Sequence, residues 1–248
     1  MVNNEIVLLF PRLFTFILFT ILGLKILNLQ QIYALNRVYC AAFCIWGLFN
    51  LFDATLLLIA PLSETAFYIA NFLRDIQMSC LIIFAFLIYL SYRIIKEGSQ
   101  SIVNTRLFIE IAIFCIIIIW IITLDRIEVW NTLDQKIKAS EITNSAEDLR
   151  GVPIISIEIA LLAIIPILFY VYAMIQMLIL GSKVEDLTLK KRMTTRAIGL
   201  LLIPTGVIYF IIQNVMNWDN IIFILAGYIF YVLASILVWS SQNKEKSA

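Results

Sequence analysis

Residues 71–77 read N-F-L-R-D-I-Q inside an apolar segment, 66–90, that is long enough to cross a bilayer. The adjacent Arg74 and Asp75 near the middle of that segment are costly to hold in hydrocarbon. Ionisable groups so placed face a bundle interior or a water-filled cavity, and by default they are candidate binding or conduction sites. Other apolar segments carry polar residues at a similar level: Arg12, Asn50, Asp53, Glu158, Gln213 and Asn214, with Asp219 opening the last one. At about 1.5 Å rise per residue, these groups fall within ~10–15 Å of one surface. Together with Asn71, they form the candidate ligand or ion site.

Spacing sets the facing. Trp46, Asn50 and Asp53 stand at i, i+4 and i+7 and so form one stripe, while Asn71 shares a face with Arg74 and Asp75. If both stripes point inward, Asp53 is expected to meet Arg74, and Arg12 to meet Asp75 or Glu158. Two cations and three carboxylates leave one negative charge over, which suits either a protonated acid or a receptor for a cation or proton. The plainer alternative is that buried pairs only fix helix register. Glu158, near a helix start, can also simply favour the helix dipole. Glu110 is read as interfacial. Tyr170, Tyr172, Tyr209, Tyr228 and Tyr231 are candidates to line a pocket, although most of them read as packing or interface residues. Pro11, Pro166 and Pro204 lie inside spans, where they can free backbone carbonyls.

Several chemistries are excluded by residue type. The chain has no histidine, which removes histidine-ligated metals and histidine acid–base catalysis. The four cysteines, Cys40, Cys44, Cys80 and Cys115, all fall in apolar spans and read as small buried hydrophobes. With no nucleophile–base pair, an enzyme is not expected, nor is a cofactor or a nucleic-acid partner.

The elements that must position these groups are membrane helices. The 248 residues are 62% hydrophobic and only 14% charged, well away from the balance of a soluble domain. Apolar runs of the required ~20 residues predict seven spans, at 6–28, 36–60, 65–93, 106–124, 152–180, 196–215 and 220–240. The fold class is thus an all-α integral membrane protein, one seven-helix transmembrane domain covering 1–248. The first span has no basic leader or small-residue cleavage site and reads as a retained helix. An outer loop, 125–151, carries Ile127, Trp130, Leu133 and Ile137 at helical steps. An inner loop, 181–195, carries Lys183, Lys190, Lys191 and Arg192, followed by Arg196. Twelve Lys/Arg fall on one side and four on the other, which places the N-terminus outside and the C-terminus in the cytoplasm. The seven helices divide as three, a plain fourth and three, without visible repeat between the halves.

In size and topology the chain resembles microbial rhodopsins, but residues 221–238 contain no lysine for a retinal Schiff base. Three classes follow for a multi-pass protein of the cell membrane. The first is a receptor-like sensor with a polar ligand or ion site in its outer half. It would signal through a cytoplasmic partner at Lys183, Lys190, Lys191, Arg192 and Arg196, residues that equally suit anionic lipid headgroups. The second is a transporter or channel for a small solute, ion or proton. The third is a structural subunit of a membrane complex. Polarity of the inner half separates the first two: a receptor can close there, whereas a carrier must open there. Gln176 and Ser235 are the main polar groups available for such a path.

Overall fold

The computed structural model describes residues 2–29, 32–58, 64–98, 106–123, 157–216 and 221–242. The helices are α1 (Val2–Leu29), α2 (Ala34–Leu58), α3 (Glu64–Glu97), α4 (Arg106–Thr123), α5 (Ile157–Ser182), α6 (Leu187–Val215) and α7 (Ile221–Ser240). All seven are long and apolar enough to cross a membrane. The loop at 125–151 and Asp219 lie outside the described residues, as do the side chains of Glu158 and Asn214.

Continuous apolar sequence explains why these segments are helices. Without water, a segment can satisfy its own backbone only by bonding within itself. The charged ends follow different rules. Asp186 accepts bonds from the amides of Thr188 and Leu189 (2.8 and 3.2 Å), capping α6 at its start. With that cap, α6 begins nine residues before the expected 196, because lysine and arginine lower hydropathy without opposing helix. Helix α3 also runs on past Arg93 to Glu97, and stops at Gly98, whose φ of +81° few other residues adopt.

Six helices close a ring in the order α1, α2, α3, α5, α6, α7 and back to α1. Two seams are parallel. Along α1 and α7, Arg12 lies beside Tyr228 and Lys25 beside Trp239. Along α3 and α5, Phe84 meets Tyr170 and Tyr92 meets Tyr172. Helix α4 packs outside the second seam. Its Phe114, Ile117 and Ile121 join Ile82 of α3, and Phe114 lies 5.5 Å from Phe169 of α5. This outlying position matches the sequence division into three, one and three. The side chains turned away from the ring are apolar, as in Phe10, Ile17 and Leu24 of α1 and Ile116, Ile119 and Trp120 of α4. Continuous surface of this kind is what a bilayer covers, and the make-up is that of a multi-pass membrane protein. Cys115 is exposed on α4 and not buried as expected; Cys80 is buried.

The ring is filled by aromatic side chains. Trp46 is fully buried and stacks on Phe49 at 4.7 Å, with Phe84 at 5.0 Å and Tyr231 edge-on at 5.4 Å. Phe84 continues to Tyr170 at 5.6 Å. One proline is integrated into this core. Pro204 has no N–H to give the carbonyl of Leu200, four residues earlier. The Tyr170 hydroxyl donates to that carbonyl instead, at 2.6 Å. Tyr170→Phe would leave the carbonyl buried and unsatisfied, so the variant is expected to lose about 1–2 kcal/mol of stability. Thermal unfolding in mild detergent against the parent chain would measure it.

Candidate functional site

Four helices converge on Asp53. Arg12 of α1 donates from Nε to Asp53 Oδ2 at 2.5 Å. Tyr228 of α7 donates its hydroxyl to the same oxygen at 3.1 Å, and Gln77 of α3 donates to Oδ1 at 3.3 Å. The Arg12 guanidinium also lies 5.6 Å from the centre of the Tyr228 ring, and its Nη1 donates to the carbonyl of Leu8. The pair is only partly shielded: the Arg12 side chain is 13% exposed and that of Asp53 30%. Ion pairs so placed keep contact with a polar medium and remain able to engage a ligand.

The pair lines a cavity of about 270 Å³ together with Phe49, Asn50, Val207, Phe210, Gln213, Ile224, Tyr228 and Tyr231. It has room for on the order of ten water molecules. Asn50 is held in place by donating to the carbonyl of Trp46 at 2.8 Å. Gly206 and Gly227 let α6 and α7 close on one side. A Cβ on Gly206 would stand 2.5 Å from the Tyr231 ring, and one on Gly227 would meet the Phe210 ring. Toward the other end of the bundle the cavity ends on the Trp46, Phe84 and Tyr231 packing described above.

The structure brings together Arg12, Asn50, Asp53 and Gln213 of the expected set. Asn71, Arg74 and Asp75 are buried on α3, nearer its N-terminus than Gln77, and do not line this cavity. The expected pairing is corrected. Asp53 takes Arg12 as its partner, because α1 is the ring neighbour that presents a cation to the inward stripe of α2. Tyr228 and Gln77 were not singled out as site residues. For Gln77 a signal existed, since it stands three residues after Arg74. Tyr228 is one of the five tyrosines read as candidates to line a pocket, but α7 is apolar on every side and its inward face cannot be read from periodicity.

A second polar cluster lies near the opposite end, outside the ring. Arg93 of α3 is 2% exposed and bonds Glu110 of α4 at 2.6 Å and Glu97 at 2.9 Å. Glu110 Oε1 further accepts from the Tyr89 hydroxyl and from Arg106, each at 3.1 Å. Glu110 is therefore buried and fully engaged, held by Arg93, Arg106 and Tyr89. Two arginines and two glutamates balance, so this is a docking joint for α4.

Of the basic residues at that end, Lys183 and Lys191 are exposed, and Lys190 and Arg192 are half-buried. Arg196 is turned inward. Its guanidinium lies 5.3 Å from the centre of the Tyr39 ring, and it donates to the buried Ser241 hydroxyl at 3.3 Å. No group of histidine, cysteine or carboxylate side chains suited to a metal occurs among the described residues. Compared with protein families, curated proteins and solved structures, the chain matches none.

Proposed function

We propose that the chain is a receptor-like membrane sensor, with its N-terminus outside and its C-terminus in the cytoplasm. The cavity around Arg12 and Asp53 is its ligand site. One observation supports this reading: a polar cavity with a partly exposed ion pair is bounded on its far side by the buried Trp46 and Tyr231. A carrier must open the far half of the bundle in turn. There the Ser235 hydroxyl returns to the carbonyl of its own helix at Val232, at 2.7 Å, and the buried Tyr39 turns its hydroxyl to Met177. Among the described residues two polar clusters remain in that half: Arg93 with Glu110 lies off the ring axis on α4, and Arg196 is closed onto the Tyr39 ring and the buried Ser241 hydroxyl. Lys183, Lys190, Lys191 and Arg192 then stand at the cytoplasmic face, where a signalling partner or anionic lipid headgroups would meet them.

The transport reading is the competitor, and flux separates the two. Proteoliposomes loaded with a pH-sensitive dye are expected to show no proton movement above protein-free vesicles under an imposed pH gradient. A leak that requires the protein and disappears in Asp53→Asn would favour the transporter.

A further inference from the structure

The geometry points to the class of ligand: a small zwitterion that carries an ammonium and a carboxylate on one compact apolar body. This rests on the cavity being a ligand site, as proposed above. Charge is the first argument. The lining holds one guanidinium and one carboxylate, so it is neutral as a whole. A ligand with a single charge would bring an uncompensated ion into a partly desolvated site. A zwitterion adds none.

Spare bonding capacity is the second argument. Arg12 uses Nε on Asp53 and Nη1 on Leu8, and among the described residues its Nη2 makes no bond. A guanidinium edge of this kind takes a carboxylate. Asp53 Oδ1 accepts one bond, the 3.3 Å contact from Gln77, and the side chain is 30% exposed. A carboxylate with an open lone pair takes an ammonium. The two vacancies belong to directly bonded partners, so one molecule with both groups close together can fill them without separating the pair. The rest of the wall is mixed, with Asn50 and Gln213 beside the aromatic rings of Phe49, Phe210, Tyr228 and Tyr231. Aromatic faces also favour a nearby cation. The volume of about 270 Å³ limits the body to a small side chain.

The test uses the full chain in nanodiscs of uncharged lipid, titrated in a calorimeter with four probes. L-leucine and L-phenylalanine are zwitterions, phenethylamine carries only the ammonium, and 3-phenylpropionate carries only the carboxylate. Binding of at least one amino acid is expected, with both single-charge analogues about tenfold weaker or more. Asp53→Asn should weaken the amino acid strongly, and Asp53→Glu should restore it, an outcome that a misfolded variant cannot give. Arg12→Gln should erase any preference for the probe bearing a carboxylate. Equal affinity for a single-charge analogue, or no heat from either amino acid at millimolar concentration, would overturn the assignment. Uptake of the labelled amino acid into liposomes would support the zwitterion site while removing the sensor reading, so the two claims fail separately.

Discussion

Glu110→Ala is expected to destabilise the protein by about 3–5 kcal/mol. The reason is the state in which it leaves its partners. Arg93 is 2% exposed, and it would keep only its two bonds to the exposed Glu97 (2.9 and 3.3 Å) while losing its 2.6 Å contact with Glu110. Tyr89 would lose its acceptor as well. A guanidinium held in an apolar seam without its full counter-charge is far more costly than the pair was favourable. Replacing both partners tests that distinction. Arg93→Met combined with Glu110→Leu removes the charges together and is expected to recover most of the loss, because the pair contributes little net stability over well-packed apolar groups. Detergent-resistance or thermal-unfolding midpoints of the single and double variants would show it. A loss below about 1 kcal/mol for Glu110→Ala would mean that solvent reaches this joint.

Asp53→Ala is the second large effect, expected at about 1–3 kcal/mol. It strands Arg12, Gln77 and Tyr228 at once, since all three donate to this carboxylate. The loss should be smaller than at Glu110, because the 30% exposed Asp53 side chain and the cavity allow water to replace some of those bonds. Arg12→Ala should be partly redundant with it. A double-mutant cycle on the two positions is therefore expected to give clear positive coupling. Additive effects of the two substitutions would show that the ion pair is not formed in the membrane-embedded protein.

The two sites differ in how far the sequence revealed them. The stripe of Trp46, Asn50 and Asp53 was legible from its spacing alone, and Trp46 and Asn50 are 0 and 1% exposed. The partner of Asp53 was not legible. Each helix presents its polar face at a rotation set by its neighbours in the ring, so a list of charges at one depth does not say which pair will meet. Arg74 looked central because it sits between carboxylates in sequence. In the structure the centre is Asp53, one helix over, and Arg74 is buried nearer the N-terminal end of α3. Glu110 misled for a related reason. Near a helix end a carboxylate ordinarily reaches water, and only the docking of α4 against Arg93 buries it. Tyr228 could not be told from the other candidate tyrosines because uniform hydrophobicity on α7 erases the periodic signal. That Pro204 frees a carbonyl could be read from the sequence, but that Tyr170 of another helix takes it up is a tertiary fact.

The proposed sensor requires the cavity around Arg12 and Asp53 to be reached from the N-terminal side of α1 and closed on the other. Sided cysteine labelling tests it most directly. In a background with Cys40, Cys44, Cys80 and Cys115 replaced by serine or alanine, Gln213→Cys places a thiol in the cavity and Ser235→Cys places one beyond the floor. A membrane-impermeant charged thiol reagent is expected to modify position 213 from the N-terminal side only, and position 235 from neither side. Modification of position 213 from both sides, or of position 235 from the opposite side, would reveal a path through the bundle and contradict the account.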